Sequence, residues 1–241
     1  MTSTPESSPR SKRPAPQGAP ARHVRAPALD PARFIADNTR VQSAPLTPEL
    51  SFHLADETIA IWEKTEEALG RMGLPPPFWA FAWAGGQALA RYCLDNPALV
   101  SGKRVLDFAC GCAVAGIGAA RAGAARVDAS EIDAFAVEAA HANARLNDVA
   151  LHAREVDLVG VDEGWDVVLA GDVFYEGPGA ARIAAWLSDL HARGALVLIG
   201  DPGRTFMPKD RLEALARYDT PVTRDLEDRD VRLARVWRFK G

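Results

Sequence analysis

Two rhythms of apolar and polar positions run along the second half of the chain. Short apolar runs bounded by turn residues predict strands at 103–108, 125–130, 151–155, 165–171 and 194–200. Between them, apolar residues recur every three or four positions and predict helices at 114–122, 133–146, 178–192 and 207–216. Two closing segments, 219–226 and 230–239, alternate apolar with polar around a charged turn, Glu227-Asp228-Arg229-Asp230, and predict a hairpin. Strand–helix alternation of this kind implies an α/β fold. It has a Rossmann-like, seven-stranded, mostly parallel sheet with an antiparallel last strand, and helices on both faces joined by right-handed crossovers.

The rhythm is looser before residue 103. A helix is expected over 57–70, with Trp62, Ala68 and Leu69 facing inward, and Pro75-Pro76-Pro77 stops it. The aromatic run Phe78-Trp79-Ala80-Phe81-Ala82-Trp83 follows, then a helix through Gln87 to Asn96 that ends at Pro97. A short helix over 31–38 is expected under an Asp30 cap.

Composition divides the chain further. At 241 residues, 48% hydrophobic and 25% charged, it can bury one full core. Nine of the seventeen prolines precede residue 49. Residues 1–40 carry net +4 against −4 for the whole chain, leaving −8 on the rest. Three parts are therefore expected: a disordered basic tail (1–28), a helical and aromatic segment that packs on the core (29–100), and a cofactor-binding core (101–241). The tail interleaves no aromatic residues with its charges, so a solubilising extension is favoured over RNA contact, and nucleic acid is disfavoured as a partner. No run of eighteen apolar residues occurs, and the N-terminus has no apolar leader, so a cytoplasmic protein without membrane contact, acting as a monomer, is expected. Cys93, Cys110 and Cys112 lack the second pair a zinc site needs, and the histidines are isolated, so no metal is expected.

Chemistry concentrates where the 103–108 strand meets the next helix. Val105-Leu-Asp-Phe-Ala-Cys-Gly-Cys-Ala113 reads as a buried strand end followed by a loop of small residues, which lets backbone approach a ligand closely. Glu131, at the tip of the following strand, suits the two hydroxyls of a ribose. Gly111-x-Ala113-x-x-Gly116 is also a degraded dinucleotide fingerprint. However, Asp107 just before the turn would repel a pyrophosphate and suits a cationic ligand. The loop thus favours S-adenosylmethionine over a nicotinamide, with a plain ligand-free β-turn-α as the remaining option. Further along the same edge, Asp157 is placed to accept from an adenine amine with Leu158 against the ring, and Gly171-Asp-Val-Phe-Tyr175 ends the next strand. A single strand-end acid is usually a helix cap; four in chain order suggest a site.

These motifs resemble a known family. The 105–113 stretch, Glu131-Ile-Asp133, Asn143 and Asn147 are similar to the core of class I, seven-β-strand methyltransferases, and Asp172-Val-Phe-Tyr175 matches the D/E-x-x-Y/F signature of those that methylate protein lysines. Pro77 to Tyr92, Leu94-Asp-Asn-Pro97 and Gly200-Asp-Pro-Gly-Arg204 resemble the lysine methyltransferases of the electron transfer flavoprotein β-subunit, over residues 46–239. Ala109 and Ala113 replace the outer glycines of the usual loop, which alanine tolerates at negative φ.

The resemblance implies S-adenosylmethionine as cofactor, with Trp83, Gly86, Asp107, Ala109, Gly111, Glu131, Asp157, Leu158 and Ala170 around it. It implies a protein substrate, the flavoprotein β-subunit first, met by Phe174, Asp201 and Arg204. Asp172 and Tyr175 would be catalytic: Asp172 grips and aims the amine, and Tyr175 walls the lysine channel. Trp83 would cover the methionine end of the cofactor, with Gly85 and Gly86 letting backbone approach; the aromatic run could equally seal the core. A ribosomal-protein or small-molecule N-methyltransferase, and a non-catalytic cofactor-binding protein, stand as alternatives.

Overall fold

The computed structural model describes residues 30–55, 76–221 and 231–241. The basic tail, the helix expected over 57–70 and the charged turn at 227–230 lie outside the described residues. Helix α1 (Pro31–Asn38) starts as expected, with Pro31 in its first turn and Asp30 accepting from the Ala32 N–H at 3.1 Å. Two antiparallel strands follow that the sequence pattern did not announce, β1 (Arg40–Ala44) and β2 (Thr47–Leu54).

Helix α2 (Ala84–Asp95) leads into the alternating core. Its elements are β3 (Arg104–Phe108), α3 (Val114–Arg121), β4 (Arg126–Glu131), α4 (Ala134–Leu146), β5 (His152–Glu155), β6 (Val167–Gly171), α5 (Gly177–Ala192), β7 (Leu196–Asp201), β8 (Leu212–Pro221) and β9 (Val231–Phe239). The seven-stranded sheet has the order β5-β4-β3-β6-β7-β9-β8. Pairs from β5 through β7 are parallel, and β9 lies antiparallel to both β7 and β8.

Period-2 side-chain alternation distributes the strands over two cores. Val105, Val127, Leu169 and Leu198 pack with α2 and α3 on one face. Leu106, Val168, Val197 and Ile199 pack with Leu187 and Leu190 of α5 on the other. Strand order reverses between β3 and β6, the switch point where ligands of such sheets bind.

One element differs in kind from its sequence pattern. The segment 207–216, rich in helix formers, was expected as a helix; instead a short 3-10 turn at Lys209–Arg211 leads directly into β8. Pairing with β9 over the whole length of β8, with one bulge between Ala214 and Ala216, overrides the local preference.

The β1–β2 hairpin is tied down by amides. Asn147 accepts from Ser51 N (2.9 Å) and donates to Ser51 O (2.6 Å), reproducing a strand's pairing from a helix. Asn143 accepts from His53 N (2.7 Å) and donates to the Cys112 carbonyl (2.9 Å), so one side chain joins hairpin and β3–α3 loop. Gln87 does the same for the hairpin turn, accepting from Leu46 N at 3.1 Å. Asn147→Ala leaves both backbone groups of Ser51 without these partners and is expected to cost about 2 kcal/mol. Its urea midpoint should fall, and limited proteolysis should cut the hairpin before the core.

Candidate functional site

Small residues and strand-end acids meet at the switch point. The β3–α3 loop climbs through three left-handed residues, Ala109 (φ 51°), Gly111 (φ 52°) and Ala113 (φ 60°). The negative φ expected at the two alanines is therefore wrong. The loop takes the glycine geometry regardless, held by Cys110 N to Ser130 O (3.1 Å) and by Asn143 on Cys112 O. Each left-handed alanine stores about 1–2 kcal/mol, a cost met by a turn that points backbone N–H groups to one side.

Asp107 is buried at the end of β3, and its Oδ2 accepts from Gly116 N at 2.7 Å, the first turn of α3. Ala113, the N-cap, offers no side chain, so Asp107 caps the helix from the neighbouring strand. Burial raises its pKa to about 8, with Glu131 adding to the rise and the Gly116 N–H opposing it. Glu131 ends β4; its Oε1 accepts from Gly111 N (3.1 Å) and its Oε2 from Ile132 N (2.8 Å). Burial raises its pKa too. The neighbouring Ser130 hydroxyl is buried without a hydrogen-bond partner among the described residues. Two strand-end carboxylates, both with pKa values raised by burial, fit a ligand that carries positive charge and hydroxyl donors.

The second aspartate repeats the device. Asp172 follows β6 at φ 57°, and its Oδ2 accepts from Gly85 N (2.7 Å) and Gly86 N (3.1 Å) in the first turn of α2. Trp83, the N-cap there, makes no side-chain cap. Asp172 Oδ1 pairs with Arg204 Nη2 at 3.2 Å. Burial raises the pKa of Asp172 to about 6; Arg204 and the Gly86 N–H oppose the rise, and Asp201 adds to it. Gly85 and Gly86 were expected to admit the cofactor. Their missing side chains also let α2 lie against the sheet: a Cβ on Gly85 would enter the Gly200 carbonyl, and one on Gly171 would meet Gly86 at 3.0 Å.

An open cleft of about 300 Å³ is lined by Phe174, Tyr175, Gly203, Arg204, Thr205 and Phe206, and Arg204 links it to Asp172. Phe174 is fully buried and forms its floor, while Tyr175 is 61% and Phe206 49% exposed. Desolvation and the charges of Glu131 and Glu176 raise the Tyr175 pKa, so its phenol stays protonated. Asp201 Oδ1 accepts from the backbone N–H of Gly203 and Arg204, both at 2.6 Å. Asp201 Oδ2 and Arg204 Nε are buried without partners among the described residues.

The aromatic run divides into two groups of contacts. Trp79 joins the core, stacked on Phe135 with centroids 6.4 Å apart. Phe81, Trp83, Phe78 and Tyr175 form a chain of ring contacts about 6 Å apart that leads to the cleft, with Trp83 Nε1 donating to Phe78 O at 2.8 Å.

Two expected cofactor residues sit deeper than foreseen. The Leu158 side chain is buried in the α5-side core and cannot face a ring, and Ala170 is fully buried in β6, so each has only backbone to offer. Asp157 is half-exposed; it accepts from Val159 N at 2.9 Å and faces Arg182 at 3.8 Å. The sequence reading missed Ile132. It follows Glu131 directly and is 75% exposed, an apolar side chain in water beside a ribose-type acceptor. Its position just after the strand-tip acid was the available signal.

Comparison with known proteins agrees with this edge. The ribosomal protein L11 methyltransferase (PrmA) family model matches residues 87–172, from α2 through Asp172. Among solved structures, the Thermus thermophilus 16S rRNA N2 G1207 methyltransferase in complex with AdoMet and guanosine superposes with a TM-score of 0.51 at 18% identity, covering 84% of this chain and 50% of that one, a likeness of fold. With the kinship that follows, the chain is an S-adenosylmethionine-dependent methyltransferase. The chain is 38% identical to the electron transfer flavoprotein beta subunit lysine methyltransferase of Danio rerio over 87% of this chain and 83% of that protein. It is 38% identical to the Xenopus laevis protein of that name (90% and 89%) and 34% identical to the human one (88% and 84%). It belongs to the electron transfer flavoprotein β-subunit lysine methyltransferase family.

Replacing Ala109 or Ala113 by Gly is expected to raise stability by about 1 kcal/mol at each site, because glycine carries no Cβ penalty at positive φ. Urea unfolding checks this, and a fall in stability would contradict the left-handed loop.

Proposed function

We propose that the protein transfers methyl groups from S-adenosylmethionine to lysine side chains of the electron transfer flavoprotein β-subunit. Kinship over most of the chain supports the substrate. The observation that carries the lysine chemistry is the cleft lined by Tyr175 and Arg204, whose guanidinium also pairs with the Asp172 carboxylate. The L11 methyltransferase match ends at residue 172 and covers the cofactor half without the loop beyond Asp201.

Glu131 would hold the ribose hydroxyls of the cofactor, the exposed Ile132 would offer an apolar face to its adenine, and Asp157 would accept from the adenine amine. Asp107 supplies negative charge beneath the cationic end, and Trp83 and Gly86 close over it. S-adenosylmethionine supplies an electrophilic methyl when bound: the amine lone pair forms the N–C bond as the C–S bond breaks toward sulfur, and the product ammonium loses a proton to solvent. The chain's own residues position and desolvate the amine. Asp172 Oδ1 retains one lone pair beyond its Arg204 contact and accepts an amine N–H there, aiming the nitrogen lone pair away from itself. Tyr175 walls the channel and offers its ring face to the cationic head, while Phe174 and Phe206 exclude water. At an ordinary pKa of about 10.4, neutral lysine at pH 7 costs roughly 4.6 kcal/mol, so desolvation of the amine is part of the work.

With radiolabelled cofactor and a cell lysate, wild-type enzyme is expected to label one or a few protein bands, the flavoprotein β-subunit among them. Asp172→Asn, which keeps an acceptor for α2, should lose the label by at least tenfold while still binding S-adenosylhomocysteine. Labelled nucleic acid, or an unaffected variant, would contradict this function. Cofactor binding should also release protons. With its pKa near 8, Asp107 is largely protonated at pH 7, and a cationic ligand draws it to the carboxylate. Affinity should therefore rise from pH 6 to 8 and level above that. Calorimetry in buffers of different ionisation enthalpy should detect the released proton, and Asp107→Asn should abolish it.

A further inference from the structure

Asp172 poses an electrostatic difficulty for a lysine methyltransferase. A lone carboxylate beside the target amine favours the ammonium form, which has no lone pair to give. The groups facing Asp172 answer it. From the loop after β7, Arg204 Nη2 lies 3.2 Å from Oδ1. From α2, two N–H groups at the positive end of the helix bind Oδ2. From the end of β7, Asp201 contributes an opposing negative charge, with Oδ2 buried and unpartnered among the described residues. Tyr175 follows on the same loop as Asp172, with Glu131 and Glu176 acting on its phenol and Arg204 opposing them.

We infer that Arg204 is a charge-balancing residue of the lysine site: by neutralising Asp172 it lets the carboxylate aim the incoming amine without holding the amine's proton. This inference rests on the lysine methyltransferase function proposed above. Three features fit it. The Arg204 side chain is mostly buried, so solvent screens the pair weakly. It is anchored at its own backbone by Asp201, which fixes the guanidinium beside the cleft instead of leaving it on a mobile surface arm. It also lines the cleft itself, so the Asp172–Arg204 pair lies where an arriving amine would enter. Arg204 touches Asp172 and acts on the amine through it; it is a positioning residue, not a catalytic one. Asp201 works in the opposite sense and sets how far the balance goes.

The test is the pH dependence of kcat from pH 6 to 10, with saturating S-adenosylmethionine and saturating recombinant flavoprotein β-subunit, because kcat reports the groups of the enzyme–substrate complex. S-adenosylhomocysteine affinity is measured on each variant as a readout of the folded cofactor site. Arg204→Gln is expected to move the acid limb upward by about one unit, so that a roughly tenfold loss at pH 7 is regained near pH 9. Arg204→Lys should stay close to wild type. Asp201→Asn, which keeps an acceptor for the Gly203 and Arg204 N–H groups, should move the limb downward, and this arm decides the matter if Arg204→Gln does not fold. Equal loss at every pH with an unmoved limb, or an Asp201→Asn limb that stays or rises, would overturn the inference. Absence of any methyl transfer by the wild type would instead overturn the proposed function.

Discussion

Helices α2 and α3 have no side-chain cap from their own N-cap residues, and each is capped across the sheet by a buried strand-end aspartate. Asp107 reaches from β3 to Gly116 in α3, and Asp172 reaches from the end of β6 to Gly85 and Gly86 in α2. Each of these hydrogen bonds is worth about 1 kcal/mol, more where the acceptor is charged, and each also fixes an angle between strand and helix. The two strands concerned are the pair at which sheet order reverses. The carboxylates that make the site chemically useful are thus the same groups that set its shape. The choice between helix cap and ligand residue, natural at the level of sequence, is a false one here.

The glycines and alanines around this edge follow from that arrangement. Helix α2 can present its first-turn N–H groups to Asp172 only if it lies almost in contact with β6 and β7, so Gly85, Gly86, Gly171 and Gly200 crowd one point. The β3–α3 loop brings its N–H groups round only by placing two alanines in the left-handed region. Strain there is local, and it sits beside the carboxylates whose pKa values burial lifts. This is the pattern expected where binding geometry has been set against stability.

Much of this was legible in the chain. Period-2 and period-3.6 patterns located the core strands and helices, because those elements are long and doubly covered. The acids at 107, 131 and 172 were legible because each closes an apolar run. What was not legible depended on partners far away in sequence. Residues 212–216 carry helix formers, and only the β9 ladder makes them strand. The β1–β2 hairpin has weak alternation and is held by Asn143 and Asn147, roughly ninety residues downstream. That Leu158 faces inward and Ile132 outward turns on which side of a strand tip each residue leaves the sheet, which spacing alone does not settle.

Gly200 stands almost at the far end of the chain from Gly85, yet the two backbones touch. During synthesis, α2 emerges long before its neighbours: its first-turn amides wait for Asp172, and Gly85 waits for residue 200. The methyl-transfer edge is therefore completed late. A chain interrupted before β7 would carry Phe174 and Tyr175 but not the Gly203–Phe206 wall of the cleft, so the two sides of that cleft are built at different times.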